Sequence, residues 1–218
     1  MDYLALCKQV HNICQIDGDT IVSVDNQTGM NARVVEWVDR AYRDIQRYRT
    51  DWRFRQALAN VNVVAGQWEI PDLITTMVHM DPTTATATYN GTIVERLQPI
   101  DYDLFYNRFQ SQARTNGNPR YISVGHDFDI YIDPIPTVAL VLKFWYTKAI
   151  ESLVNNTDIP IIRDEYQDTI IWKAVLYYAQ EQETNNIYQT AQINYKENLN
   201  RMELDLRPKT SIRFTPLA

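Results

Sequence analysis

The chain of 218 residues is long enough for one large domain, or for a core with an inserted subdomain, without stabilising disulfides or metals. It contains 27 Asp and Glu against 21 Lys and Arg, and its formal net charge is −6. This balance argues against a sequence-reading DNA-binding protein, because such proteins present a basic face. The two cysteines, Cys7 and Cys14, are too few for a disulfide scaffold and predict a reducing compartment. The N-terminal residues lack the pattern of a secretory signal, and no apolar run reaches the ~20 residues of a membrane span, so we expect a soluble protein with no membrane partner.

Two helices are predicted in the first 54 residues. Asp2 is the expected N-cap of the first helix, which runs to about Gln15. Asn31 is the expected N-cap of the second helix, whose other face is charged and either solvated or in contact with a partner. The apolar residues of the second helix recur at steps of three and four: Val34, Trp37, Val38, Ala41, Tyr42, Ile45 and Tyr48.

From residue 58 onwards, apolar and polar residues alternate, which predicts short strands. The strongest local signal is Asn90-Gly91 between the β-prone runs 84–89 and 92–97, since both turn positions of such a hairpin take positive φ. Asp101 is the expected cap of a short helix that extends to Phe109. The other predicted strands cover residues 58–64, 68–70, 120–124, 128–133 and 138–147.

Residues 160–183 are predicted to form the central helix, because their apolar side chains cover two adjoining faces. A further helix is predicted over 187–206, and Pro208 ends it. The segment that follows contains no acidic residue and alternates Ile212 and Phe214 with polar residues. It is either a terminus without order or an arm that completes a neighbouring sheet or fills a groove.

The order of these elements predicts an α+β fold, because runs of strands are segregated from runs of helices. We expect a helical bundle of about four helices, built from residues 1–54 and 160–206. A β-rich subdomain of short antiparallel strands is inserted over residues 55–159, and residues 207–218 form an extended C-terminal arm. The arm residues expected to contact a partner or a neighbouring subunit are Arg207, Lys209, Ile212, Arg213 and Phe214.

Cys7, His11 and Cys14 share one face of the first predicted helix and suggest a metal site. Cys7 and Cys14 would lie about 10 Å apart along the helix axis, too far to bind one zinc ion, so we interpret the three residues as core.

Asp127, Asp129 and Asp133 lack the glycine and glutamate of a calcium loop, and alternation predicts that they form the solvated face of a strand. No nucleophile motif or zinc-protease motif occurs, and although paired catalytic carboxylates need no fixed spacing, no pair is indicated. We therefore predict that the protein is not an enzyme and binds neither a cofactor nor a metal.

Several short sequences follow one another along residues 31–205: WVDRAYRDIQ at 37–46, DWRF at 51–54, LQPIDYD at 97–103, GNPRY at 117–121, FDIYIDPIP at 128–136, LKFWY at 142–146 and the run from 160 to 170. In this order they resemble the head-to-tail adaptor (connector, or head-completion) proteins of tailed bacteriophages. One departure from that family is Trp172-Lys173, where smaller residues are expected.

The resemblance implies a structural protein of the virion neck, assembled in the host cytoplasm. Such proteins form a ring, usually of twelve copies, that docks below the portal protein, extends the DNA channel and provides the attachment surface for a tail or neck protein. Twelve copies would carry a formal charge of −72, twelve times the −6 of one chain. An electronegative channel would let genomic DNA pass without sequence-specific binding.

Two other functions remain open from the sequence. One is a nucleic-acid-binding packaging accessory, similar to a small terminase ring. The other is a tail-side component such as a gatekeeper or tail-tube protein, which differs from an adaptor mainly in the neighbour it contacts.

Overall fold

The computed structural model describes residues 1–71, 77–89, 92–110, 113–126 and 128–206. These residues form helices and short strands in an α+β arrangement, as predicted. The α-helices are α1 Tyr3–Ile13, α2 Gly29–Tyr48, α3 Tyr102–Phe105, α4 Asp168–Glu181 and α5 Asn185–Leu206. The strands are β1 Gln56–Val63, β2 Glu69–Ile70, β3 Met77–Tyr89, β4 Thr92–Arg96, β5 Gln98–Pro99, β6 Tyr121–Val124, β7 Ile130–Asp133 and β8 Leu140–Lys148.

The chain divides into two compact units. The helical unit consists of Met1–Arg55 and the described residues from Ile150 onwards, and it contains α1, α2, α4 and α5. The sheet unit is Gln56–Ala149 and contains the strands together with α3. That each unit is a domain able to fold by itself stays a prediction.

Helix α4 lies at the centre of the helical unit, where it contacts α1, α2 and α5. Its residues Ile170 and Ala174 are completely buried, as are Val38 and Ile45 of α2. Each fully buried valine or isoleucine side chain contributes roughly 1.5–3 kcal/mol to the free energy of folding. The wide apolar arc on this helix is therefore explained by neighbours on several sides.

Helices α2 and α4 begin at other residues than expected. Helix α2 begins at Gly29, which has positive φ, and the predicted cap Asn31 lies inside the helix and donates a hydrogen bond to the Asp19 carbonyl at 3.2 Å. Helix α4 begins only at Asp168, after a 3₁₀ turn, and not near residue 160. The buried Gln167 side chain donates to the Ile162 carbonyl at 3.2 Å, which holds the preceding residues in a compact turn.

Residues 150–159 group with the helical unit rather than with the predicted insertion. The reason is a set of hydrogen bonds to the first two helices and the loop between them. The buried Gln46 side chain donates to the Glu151 carbonyl at 2.8 Å and accepts from the Glu151 amide at 3.0 Å. Asp39 accepts from the Leu153 amide at 2.8 Å, and the backbone of Tyr3 donates to Asp158 at 2.8 Å.

The sheet unit contains two four-stranded sheets, with strand orders β1-β8-β3-β4 and β2-β7-β6-β5. All pairings are antiparallel except that of β5 with β6, which is parallel. The inner faces of both sheets form one hydrophobic cluster that includes Val63, Ile122 and Phe144. The first and last strands of the unit are neighbours, and Gln56 lies opposite Thr147 with a side-chain hydrogen bond of 3.1 Å.

The predicted β-hairpin is confirmed for its two strands, because Tyr89 pairs with Thr92 and β3 runs antiparallel to β4. Its turn residues 90–91 lie outside the described residues. The predicted cap Asp101 is also confirmed, since its carboxylate accepts a hydrogen bond from the Asp103 amide at 3.0 Å. Helix α3 itself ends at Phe105 and continues as a π-helical turn, Tyr106–Gln110.

Candidate interaction surfaces

The arm residues predicted to contact a partner, Arg207, Lys209, Ile212, Arg213 and Phe214, all lie outside the described residues. The structure describes the helix that leads to them, since α5 ends at Leu206. The surface around the end of α5 is the described part of the chain next to the arm.

The end of α5 is tied to the rest of the helical unit by two polar contacts. The Tyr166 hydroxyl donates a hydrogen bond to Asp205 at 2.6 Å, and this bond together with burial raises the pKa of Tyr166 to about 12. Arg49 lies 3.6 Å from Glu203 and forms a bidentate pair with Asp51 at 2.8 and 2.9 Å. A surface cleft of about 530 Å³ lies here, lined by Arg47, Tyr48, Arg49, Thr50, Asp51 and Glu203.

The charged face of α2 is only partly solvated. Arg33 forms an ion pair with Glu181 of α4, and the Tyr177 hydroxyl of α4 donates a hydrogen bond to Asp44. The Arg40 guanidinium lies 4.7 Å from the centre of the Tyr177 ring, within the range of a cation–π contact. Part of the face predicted to be solvated or to meet a partner therefore contacts α4 within the same chain.

The large residues at 172 and 173 have partners inside the helical unit. The Lys173 ammonium lies 5.1 Å from the ring centres of both Tyr177 and Tyr195. Trp172 is half-buried against the helical core. Aromatic and apolar contacts thus accommodate residues that are bulkier than the resemblance to adaptors leads one to expect.

Tyr177→Phe is expected to lower the free energy of unfolding by about 1–2 kcal/mol at neutral pH, because a hydrogen bond to a charged group contributes roughly 1.5–3 kcal/mol and this one is only partly buried. Burial and the Asp44 carboxylate both raise the pKa of the Tyr177 phenol. A tyrosine whose pKa is raised on folding stabilises the folded state at pH values below its unfolded-state pKa of about 10. This contribution is lost as the pH rises from about 10 through the folded-state pKa. Above about pH 10, the wild type should therefore lose stability more steeply than the variant.

Urea denaturation followed by circular dichroism, at neutral and at alkaline pH, measures this difference. The matched control is Tyr48→Phe on the same helical unit, because the Tyr48 side chain is exposed. The control should stay within about 0.5 kcal/mol of the wild type. Equal losses in the two variants would contradict a stabilising role of the bond to Asp44.

The prediction of a solvated acidic face is wrong for Asp133, which is 3% exposed. Arg114 donates to the Asp133 carboxylate at 3.2 and 3.3 Å and to the Ile132 carbonyl at 2.6 Å. The Arg114 guanidinium also lies 4.1 Å from the centre of the Trp68 ring. Burial raises the pKa of Asp133, and the Arg114 charge offsets part of that rise.

The strand that carries Asp133 is buried on both faces, which explains the error. Alternation along residues 128–133 predicts burial on one face only, yet Tyr131 contacts the rings of Trp68, Tyr102 and Phe105 on the other. The strand also begins later than predicted, at Ile130, because Phe128 has positive φ and is exposed. Asp129 is half-buried, and Asp127 lies outside the described residues.

Cys7, His11 and Cys14 are buried in the core of the helical unit, as predicted. Burial raises the pKa of both thiols to about 12, so they are protonated and poorly reactive at neutral pH. Across the ranges that the structure describes, no three His, Cys, Asp or Glu side chains lie close enough together to hold a metal ion.

Apolar side chains are exposed on the outer face of the sheet formed by β1, β8, β3 and β4. Leu58 of β1 is 47% exposed and Trp145 of β8 is 46% exposed. The two residues lie directly opposite each other in the pairing of these strands. This Leu58–Trp145 patch is an exposed apolar surface that the alternation in the sequence does not indicate, since the alternation predicts only that both residues lie in strands.

The sheet unit thus has an exposed apolar pair, and the helical unit has a polar cleft beside its last helix. A family model described as SU10 adaptor protein matches residues 1–215. The chain therefore belongs to the SU10 adaptor protein family, a family of phage head-to-tail adaptors, and the predicted resemblance is confirmed. No curated protein matches the chain. Over the described ranges, no helix combines the length and the apolar character needed to cross a bilayer.

Proposed function

We propose that the protein forms a twelve-copy ring in the neck of the phage particle. The ring docks below the portal, extends the DNA channel from the head and provides the surface to which the tail attaches. Membership of the adaptor family over residues 1–215 is the observation that carries this proposal. A ring of identical copies needs a heterologous contact that repeats from one subunit to the next.

The charge of the chain supports a channel through which DNA passes. Each copy has a formal charge of −6, and twelve copies together have −72. Lys and Arg contacts to phosphates are what hold DNA on a protein, so an acidic lumen repels the backbone and lets the duplex slide. The ring binds no particular DNA sequence.

The ring acts through shape and assembly and catalyses no reaction. Its arm, residues 207–218, holds the portal or a neighbouring subunit through Ile212 and Phe214 as apolar anchors. Arg207, Lys209 and Arg213 add charge contacts, and the arm contains no acidic residue to oppose them. Assembly takes place in the host cytoplasm before the tail is attached.

Two assays on the purified chain test this function. In a pull-down with purified portal protein, we expect the chain to be retained. In a gel shift with duplex DNA at low and at moderate salt, we expect no shift. The position is tested by cryo-electron microscopy of particles labelled with an antibody against the chain, where we expect label at the neck.

Each alternative function gives a different set of results. A salt-dependent DNA shift without portal binding would contradict the adaptor and favour a packaging accessory ring. Binding to a tail protein without binding to the portal would favour a tail-side gatekeeper or tail-tube component.

A further inference from the structure

Strand β1 is an edge strand without the features that usually protect such edges. It has eight residues, Gln-Ala-Leu-Ala-Asn-Val-Asn-Val, with neither a charge nor a proline. It pairs with β8 along its whole length in a continuous register. Among the described residues, no strand lies on its other side. An edge of this kind offers a row of backbone donors and acceptors to a strand from another molecule.

The other three sheet edges are protected. Strand β4 carries Glu95 and Arg96 and pairs with β3 across a register shift between Ala87 and Thr88. Strands β2 and β5 have two residues each, and β5 contains Pro99. Short length, charge, proline and bulges are the devices that prevent edge pairing. Their absence from β1 leaves this edge open to pairing with another strand.

The side chains beside this edge define what fits there. Ala59, Val61 and Val63 of β1 are buried, whereas Leu58 faces outwards opposite Trp145. A strand added to β1 would place every second side chain on the outer face, next to Leu58. Apolar side chains at those positions would extend the row that Trp145 and Leu58 begin.

We propose that residues 209–215 of a neighbouring copy pair with β1 as a fifth strand of this sheet. This inference rests on the proposed ring and specifies the contact that repeats around it. The segment has seven residues between Pro208 and Pro216, close to the eight of β1, and the two prolines limit the pairing to this stretch. Ile212 and Phe214 are two residues apart and therefore lie on the same face of the added strand, where they cover Leu58.

The arm fits this edge better than a second copy of β1 does. Pairing of two β1 strands would be an isologous two-fold contact, which ends at a dimer. The arm follows α5 of one copy and β1 belongs to the sheet of the next, so their contact is heterologous, which is the kind of contact that a ring requires. Lys209 and Arg213 meet no like charge, because β1 is uncharged.

The test is disulfide cross-linking inside purified phage particles. Particles are produced with Leu58→Cys combined with Ile212→Cys, or with Phe214→Cys to sample the neighbouring register, and are then oxidised. We expect the chain to run as multimers on a non-reducing gel and as a monomer after reduction. The native thiols, Cys7 and Cys14, are buried with pKa values raised to about 12, so they should not compete.

The matched control is Leu58→Cys combined with Arg213→Cys, because residue 213 lies on the opposite face of the added strand and should give no multimer. A second measurement needs no variant. Hydrogen exchange of residues 56–63 should be slower by roughly tenfold or more in wild-type particles than in dilute purified protein, since the outward amides become paired.

The possible outcomes separate this inference from the proposed function. If the chain is absent from purified wild-type particles, the neck position itself is wrong. If the chain is present but gives no multimer at residue 212 or 214, the arm is not the occupant of the edge, even where exchange shows that some strand covers it. A cross-link within one chain, without multimers, would overturn the contact between neighbours. Unchanged exchange of β1 would overturn pairing of this edge altogether.

Discussion

Deletion of residues 209–218 is expected to leave a folded protein that no longer assembles onto the portal. The described fold ends with Leu206, and the contacts that hold the end of α5 come earlier, from Tyr166 to Asp205 and from Arg49 to Glu203. The deletion removes none of them. It does remove Ile212 and Phe214, the two apolar side chains of a segment too short to bury anything by itself.

Circular dichroism and urea denaturation measure whether the truncated chain folds, and portal pull-down measures assembly. We expect an unchanged spectrum and retention below roughly a tenth of the wild-type amount, because a few anchor residues carry most of the binding free energy of an interface. Full retention of the truncated protein would refute the role of the arm.

A composition-matched variant separates the pattern of the arm from its mere presence. Ile212→Arg combined with Arg213→Ile keeps the length and charge but moves one apolar side chain to the opposite face. It should lose retention nearly as strongly as the deletion. Thr210→Ser leaves both anchors in place and should bind like the wild type.

Arg114→Met is expected to lower the free energy of unfolding of the sheet unit by roughly 3–5 kcal/mol at neutral pH, which is the usual cost of removing one partner of a buried ion pair. Asp133 is almost completely buried and would lose two hydrogen bonds from the guanidinium. Methionine keeps much of the side-chain volume against Trp68, so the loss reports mainly the uncompensated carboxylate.

The decrease in the free energy of unfolding caused by Arg114→Met should become smaller as the pH falls. Burial already raises the pKa of Asp133 above its unfolded value, so the stability contribution of this group falls as the pH rises from about 4 through the folded-state pKa. Without Arg114 the pKa rises further and the interval over which stability is lost becomes wider. At a pH below both values the carboxyl group is neutral, and the two proteins should differ least.

Urea denaturation at neutral and at acidic pH checks this prediction. The matched control is Arg120→Met in the same unit, because Arg120 is exposed and its replacement should change stability by no more than about 0.5 kcal/mol. If Arg114→Met lowers the free energy of unfolding by the same amount at every pH, the contact of Arg114 with the Trp68 side chain, and not its ion pair with Asp133, carries the effect.

The parts of the fold that the sequence predicts are those with a strong local pattern. The α2 stripe from Val34 to Ile45 and the hairpin predicted around Asn90-Gly91 need only their own residues to be recognised, and the helix and the two strands of the hairpin are confirmed. The α+β class follows from the same patterns because it depends only on the order of the elements.

The errors arise where long-range contacts decide the structure. Arg114 lies in a polar segment with no pattern of its own, and only the fold brings it to Asp133, 19 residues further on. Gln46 looks like one more polar residue of an amphipathic helix, yet its amide binds the backbone of Glu151, 105 residues away. The late start of α4 has the same origin, since Gln167 turns back to the Ile162 carbonyl.

For the candidate site, the sequence predicts the residues of the arm but not the surface to which the arm binds. The alternation around Ile212 and Phe214 predicts an arm, but the edge that we propose as its binding site cannot be recognised from the sequence, because the exposure of Leu58 opposite Trp145 depends on which strands are neighbours. A strand pattern predicts two faces and says nothing of which edge remains open.

The pairing of Gln56 with Thr147 has a consequence for how such proteins diversify. Because the first and last strands of the insertion are neighbours, the chain leaves the helices and returns to them at points separated by about one interstrand spacing, roughly 5 Å. We therefore expect that recombination at these two junctions would exchange the complete sheet unit in a single event and leave the sequence of the recipient helices unchanged, so that a new surface could be joined to an inherited scaffold.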